Sequence, residues 1–320
     1  MKIAYLILAH GDPEMLEKLV TALNYHADFF IHIDSKSKMN VNLLKKMANV
    51  YFVKRVNVRW AGYSMINATL NLIEKALKEN NKYKKIILIS GQDYPLYSGK
   101  QIFDHLNNDI NYIRGFNVMS SKVESITKEI TNRYIYDIPF LGKNGIAFRI
   151  VRRIVNETCG LVCKKKDGKI RFNQNCSWNV YKGSQWWALN EDFLQYTMNF
   201  LHSSNGKKLK KEMKHYFSPD EKFFHTIFFN SGFKSANIAQ GEEVFPRYIY
   251  MKKHQSTAVV AFFSNIHLIH PSLNKVFTLS DLHYVKQNMK NPNVLFIRKV
   301  NSKDSKLLIQ YLDKNEVFKN

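Results

Sequence analysis

In the first third of the chain, runs of β-branched and aliphatic residues alternate with stretches of helical apolar spacing, and this alternation most limits the possible folds. Lys2 to Ala9 reads as a strand ending at His10-Gly11-Asp12-Pro13, a turn with a helix start, and Glu14 to Ala22 continues with a helical period. Phe29 to Asp34 reads as a second strand and Val50 to Val53 as a third. Ser64 to Leu77 reads as a helix, and Lys85 to Ile89 as a fourth strand ending at Ser90-Gly91. Strands separated by helices predict an α/β fold with a mostly parallel, twisted central sheet flanked by helices. Ligands of such sheets collect beyond the carboxyl ends of the strands. Here those ends carry His10, Asp34, Trp60 with Gly62, and Ser90-Gly91-Gln92-Asp93. Neither Gly-x-Gly-x-x-Gly nor a Walker lysine loop occurs, which argues against a dinucleotide fold and a phosphate-loop ATPase.

From about residue 117 to 182 the pattern is less regular and more basic, which predicts a helical, loop-rich insertion. There is no internal repeat or low-complexity linker, so residues 1–320 are read as one domain. A hydrophobic content of 45 % with 13 % aromatics is enough for a substantial core. No stretch approaches the roughly 18 uncharged apolar residues of a membrane span, and Ile3 to Ala9 is too short for a signal-peptide core. A cytoplasmic protein is the expectation. Cys159, Cys163 and Cys176 lack Cys-x-x-Cys spacing and a His-rich neighbour; a metal site at Cys159 and Cys163 is the weaker reading, and thiols without a role the stronger.

Forty-eight Lys and Arg against 26 Asp and Glu give a net charge of +22, which favours anionic partners. The excess is partly local: Lys164-Lys165-Lys166 with Lys169 and Arg171 form one cluster, and Lys207, Lys208, Lys210, Lys211 and Lys214 another. The second reads equally as a solvated helix face and as a patch for a membrane surface, because Leu209 and Met213 give it only a thin apolar stripe.

Ser218-Pro219-Asp220-Glu221 reads first as a capping box, with Ser218 as N-cap and Glu221 reaching back to it. A glutamate at a helix N-terminus also tends to stay ionised, which suits a base. In Gly183-Ser184-Gln185-Trp186-Trp187 the aromatics fit either a buried strand or stacking on a ligand's apolar face. His10, His32, His267 and His270 lack metal-ligand spacing, and core or strand histidines are the expectation. No Asp-x-Asp occurs, so no metal site is expected.

Seven segments, in order, carry a resemblance. They are Ala4 to His10, His32 to Ser37, Trp60 to Ser64, Leu88 to Leu96, Gly183 to Trp187, Ser218 to Phe224 and Phe296 to Asn301. Together they resemble the core-2/I-branching β-1,6-N-acetylglucosaminyltransferases and peptide O-xylosyltransferases, in particular shorter bacterial members. The resemblance implies a GT-A-type fold and an inverting, metal-independent glycosyltransferase that needs no cofactor. It divides the chain into a nucleotide-binding half at 1–116, an acceptor-side insertion at 117–182 and a catalytic, diphosphate-binding part at 183–320. The implied base is Glu221. The implied diphosphate cations are Arg247 in Pro246-Arg247-Tyr248-Ile249 and Lys299, with Arg298 as the alternative to Arg247. Ala9 and Asp34 match positions holding uracil and ribose, and Trp60, Ser184 and Gln185 match positions near the donor. Trp187 is the implied acceptor contact.

The expected donor is a UDP-sugar, N-acetylglucosamine first, with xylose, glucose and glucuronic acid as alternatives. Gln185 stands where xylosyltransferases carry an acidic residue, which argues against xylose. The expected acceptor is a glycan of bacterial surface polysaccharide or lipooligosaccharide, lipid-linked and reached at an anionic membrane surface on the inner face of the plasma membrane. Two rival readings are a catalytically inactive sugar-binding relative and a nucleic-acid-binding protein. No recognisable nucleic-acid module accompanies the positive charge, so no nucleic acid is expected as a partner.

Overall fold

The structure is a computed structural model that describes residues 1–79, 81–135, 137, 150–151, 154–156, 158, 167–253 and 256–314. The chain begins with β1 (Lys2–Ala9), α1 (Pro13–Ala22), β2 (Ala27–Ile33), β3 (Val50–Phe52), α2 (Ser64–Lys78) and β4 (Tyr83–Ser90). Next come β5 (Asp93–Pro95), α3 (Gly99–Leu106), β6 (Gly115–Asn117) and α4 (Glu124–Thr131). After the insertion follow β7 (Ile170–Arg171), β8 (Ser177–Trp178), β9 (Tyr181–Gly183) and β10 (Ala188–Leu189). Then α5 (Glu191–His202) and α6 (Ser204–Met213) lead to a 3₁₀ turn (Pro219–Glu221) and α7 (Phe223–Phe229). The remainder comprises α8 (Arg247–Lys253), α9 (Ser256–Phe262), β11 (His267–Ile269), α10 (Leu282–Asn288), β12 (Phe296–Arg298) and α11 (Lys306–Lys314).

The central sheet has the order β10-β4-β1-β2-β3, parallel except for β10 on the edge of β4. Side chains of β1 and β2 are buried on both faces, which is why these strands read as unbroken apolar runs. Asp12 fixes the start of α1: its carboxylate accepts from the Met15 N–H at 3.1 Å, and Pro13 takes the first helical position. One face of the sheet packs against α1 and α3 through Leu16, Leu19, Ile102 and Leu106. The other carries the larger core, with Leu72 and Ile73 of α2, Trp187, Phe193 and the phenylalanines of α7. All seven residues of α7 are buried. Each of its phenylalanines withdrawn from water is worth about 1.5–3 kcal/mol, and His225 and Thr226 are buried with them.

A second sheet, β11-β12-β5, matters for the site because it sets Arg298 opposite Asp93. A two-stranded ribbon pairs β6 with β9 and places Gly183 across from Gly115. A Cβ on Gly183 would lie 2.1 Å from the Arg114 carbonyl oxygen and 2.5 Å from His225 Nε2, so only glycine fits there.

On α6, Leu209 and Met213 are buried in the core while Lys207, Lys208 and Lys211 are exposed. The apolar stripe seen in the sequence is therefore used for packing. No helix among the described residues is long and apolar enough to cross a membrane. Cys176 is a free, half-buried thiol; Cys159, Cys163 and Lys164 to Lys166 lie outside the described residues.

Candidate active site

The carboxyl ends of the parallel strands open into a cleft of about 640 Å³. Leu8 and His10 reach it from β1, Asp34 from β2, and Ser90 and Gln92 from the end of β4. Trp60, Ala61 and Met65 form the wall before and within α2; Ser184, Gln185 and Trp186 come from the β9–β10 connection, and Asp220 and Glu221 from the 3₁₀ turn. Arg298 and Lys299 close the opposite side.

Asp34 is tied down by its backbone, whose N–H donates to the Ala9 carbonyl at 2.9 Å, and its carboxylate accepts from the Lys36 N–H at 2.9 Å. The Ala9 carbonyl is thereby engaged, and its neighbours Leu8 and His10 line the cleft. Trp60 is 70 % exposed and forms a rim, edge-on to Phe217 at 5.9 Å between ring centroids. Gln185 presents a buried Nε2 with no partner among the described residues.

The cationic side is built around Asp93. One carboxylate oxygen accepts from Arg298 Nη1 at 2.7 Å and Ser90 Oγ at 3.1 Å. The other accepts from the Ser90 N–H at 2.7 Å and meets His267 Nε2 at 3.1 Å. Burial alone would raise this carboxyl, but Arg298, His267 and the Ser90 N–H outweigh it and hold it at about 2. The Arg298 guanidinium lies 4.3 Å from the Trp186 ring centre, so it is fixed by an ion pair and by an aromatic face. Lys299 is half-buried, and burial together with the Arg298 charge lowers its ammonium from the ordinary range. Desolvation, then the same arginine, lowers His10. Two adjacent, partly desolvated cations in a cleft form a seat for phosphate oxygens.

The acidic side departs from the capping box. Ser218 has φ 42°, its hydroxyl caps nothing, and the 3₁₀ turn stops at Lys222 before α7 begins. Glu221 does not reach back to Ser218; its Oε2 lies 3.2 Å from Lys182 Nζ. The box fails because Ser218 takes a left-handed backbone conformation in place of the extended one of an N-cap, and the turn that follows places Glu221 at the cleft. Asp220 beside it has a buried Oδ1 without a partner among the described residues, and burial first, then the Glu221 charge, push its carboxyl up to about 7.

Of the residues singled out from the sequence, Asp34, Trp60, Ser184, Gln185, Glu221 and Lys299 share this cleft. Two do not line it. Trp187 is fully buried in the core, 5.0 Å from Phe224 between ring centres, and its neighbour Trp186 takes the cleft position. Arg247 is exposed at the start of α8, whereas Arg298 is in the cleft. The sequence reading missed Lys182, Glu129 and Asp220 as parts of the site, whereas Asp93 was named in the Ser90-Gly91-Gln92-Asp93 turn at a strand's carboxyl end. The acidic pair with single-residue spacing, Asp12 and Glu14, is engaged elsewhere: Asp12 caps α1 and accepts from the Ser302 N–H at 2.7 Å, and Glu14 pairs with Lys18. Among the described residues no group of three or more His, Cys, Asp or Glu side chains is placed to hold a metal ion.

The strand-end cleft thus carries paired cations on one side and a carboxylate on the other. Residues 3–258 match the family model for Core-2/I-Branching enzymes, and the chain belongs to that family. It is 28 % identical over 233 residues to mouse β-1,3-galactosyl-O-glycosyl-glycoprotein β-1,6-N-acetylglucosaminyltransferase 4, covering 70 % of this chain and 46 % of that protein. The human enzyme 3 of the same description is 25 % identical over 232 residues, covering 70 % and 47 %. Dog xylosyltransferase 1 is 24 % identical over 242 residues, covering 72 % and 22 %. The chain thus spans about half the length, or less, of these curated relatives. Among solved structures, 4-diphosphocytidyl-2C-methyl-D-erythritol synthase aligns with a TM-score of 0.30 at 7 % identity, covering 66 % of this chain and 86 % of that one, a likeness too faint to bear on function.

Proposed function

We propose that this chain is an inverting, metal-independent glycosyltransferase that moves a sugar, N-acetylglucosamine first among candidates, from UDP to a hydroxyl of a glycan. The observation that carries the reading is that Glu221 and the pair Arg298 and Lys299 face one cleft at the strand ends. Glu221 takes the acceptor hydroxyl proton as that oxygen bonds to the anomeric carbon. The bond from the same carbon to the β-phosphate oxygen breaks, and UDP leaves with the electron pair. Arg298 and Lys299 neutralise the charge that grows on the diphosphate, the task a metal performs elsewhere. Asp34 and the backbone near Ala9 hold the nucleoside, Trp60, Ser184 and Gln185 the donor sugar. In this reading Arg298 replaces Arg247 as the first cation, and Trp187 supports the site from the core instead of touching the acceptor.

Family membership and the glycosyltransferase relatives support the class of reaction. The preference for N-acetylglucosamine rests on the names of the first two relatives. A screen of UDP-sugars by thermal shift and UDP release, repeated in excess EDTA, tests it. Turnover of UDP-N-acetylglucosamine undiminished by EDTA is expected, and activity abolished by EDTA and restored by magnesium or manganese contradicts the metal-free mechanism. For the acceptor we propose a glycan of bacterial surface polysaccharide or lipooligosaccharide, carried on a lipid at an anionic membrane on the cytoplasmic side. The net charge of +22 and the exposed Lys207, Lys208 and Lys211 of α6 support a peripheral contact of this kind, which salt-sensitive co-sedimentation with anionic liposomes checks.

A further inference from the structure

Behind Glu221 lies a cluster of charges that the reaction as described does not use. Lys182 on β9 is 2 % exposed and donates to both oxygens of Glu129 on α4, each at 2.7 Å. The same ammonium lies 3.2 Å from Glu221 Oε2. Lys222, fully buried, lies 2.7 Å from Glu129 Oε2 and donates to the Phe217 and Ser218 carbonyls at 2.8 and 3.3 Å. Fixed charges this deep are costly unless paired, so their arrangement must suit the ionised state of each member.

We infer that Lys182, anchored by Glu129 and Lys222, is a positioning residue that orients the Glu221 carboxylate toward the cleft and keeps it ionised. The inference rests on the reading of Glu221 as the base. Glu129 and Glu221 share the ammonium groups of Lys182 and Lys222; burial lowers the basicity of Lys222, Glu129 opposes this, and the Lys182 charge adds to it. The neighbouring carboxyl, Asp220, is pushed up to about 7 by burial first and then by the Glu221 charge. Lys182 itself stays charged: burial lowers its basicity, but Glu129 and Glu221 more than reverse this. Glu129 is held ionised by Lys182 and Lys222 against its burial. The remaining groups around Glu221 are His225 on α7, kept neutral at about 3 by burial and by Lys222, and, lining the same cleft, His10, Asp34, Lys36, Arg298 and Lys299. None of these has an ion pair with Glu221; Lys182 does.

The test is the pH dependence of UDP release from UDP-N-acetylglucosamine, with water or an added glycan as acceptor, in Lys182→Met, Lys182→Arg, Glu129→Gln and Glu221→Gln, each checked for folding by circular dichroism and for UDP binding. Removing an opposite charge at this distance moves a carboxyl by about 1 to 3 in pH. Lys182→Met is therefore expected to move the acid limb of kcat upward by that amount, with KM for the donor little changed. Lys182→Arg keeps the charge and restores the limb. Glu129→Gln frees Lys182 for Glu221 and moves the limb the other way, to lower pH; this arm remains decisive if Lys182→Met fails to fold. A purely structural lysine would not shift the limb in opposite directions in the two variants. An unmoved limb in both, with Glu221→Gln inactive, overturns the inference alone. Turnover retained in Glu221→Gln overturns the base reading and the inference with it.

Discussion

Asp93→Asn strikes the hub that fixes the cationic side of the cleft. The two carboxylate oxygens of Asp93 receive Arg298 with the Ser90 hydroxyl on one side, and the Ser90 N–H with His267 on the other. An asparagine offers one acceptor and one NH₂, so in either flip it sets a donor against a donor and leaves Arg298 without its counter-charge. Breaking a buried ion pair from one side costs about 3–5 kcal/mol. Part of that is pH-dependent. A carboxyl ordinarily near 3.8 and held at about 2 contributes about 2 kcal/mol. Because the folded value is depressed, this stability is fully present above pH 3.8 and is lost as pH falls through about 2. Urea unfolding at pH 7 should show the full loss in the variant, and acid unfolding of the two proteins should converge between about pH 4 and 2. UDP should also bind more weakly, since Arg298 keeps only the Ser90 hydroxyl and the Trp186 ring. A loss below about 1 kcal/mol with UDP affinity unchanged would refute the account of the hub.

Other consequences follow from single residues. Gly183→Ala drives a methyl onto the Arg114 carbonyl and should cost about 3 kcal/mol or more in a thermal melt; an unchanged melting temperature contradicts the β6–β9 pairing. Asp220 is raised from 3.8 to about 7, so its contribution is greatest below pH 3.8 and is lost as pH rises through about 7. Asp220→Asn should accordingly stabilise the protein at pH 8 and change little at pH 4, the reverse of what a surface carboxylate would do. Arg298→Ala should weaken UDP binding tenfold or more, whereas Arg247→Ala should leave it within about twofold; equal effects in an isothermal titration would return Arg247 to the site.

Much of the scaffold was legible because it is local. The strand at Lys2–Ala9 and the helices near Pro13–Ala22 and Ser64–Lys78 have ends within one or two residues of those expected from apolar period and turn chemistry. Asp34 and the Ser90 turn were placed at strand ends by the same reasoning. What was hidden depends on partners distant in sequence. Nothing near Lys182 shows that Glu129 lies 2.7 Å away, and nothing near Arg298 shows that strand pairing sets it against Asp93. Trp186 and Trp187 are indistinguishable by composition, and only their alternation on the way into β10 decides which faces ligand and which faces core. The capping box was misread because Ser-x-x-Glu describes a spacing, while the backbone at Ser218 takes a left-handed turn that the spacing does not encode.

Glu221→Gln tests the central claim most directly, because it removes the base while keeping the side chain's size and its place beside Lys182. With folding and UDP binding unchanged, UDP release from the preferred donor should fall about 10²- to 10⁴-fold across the pH range. Turnover within a few-fold of the parent protein, at unchanged donor affinity, would contradict Glu221 as the group that takes the acceptor's proton.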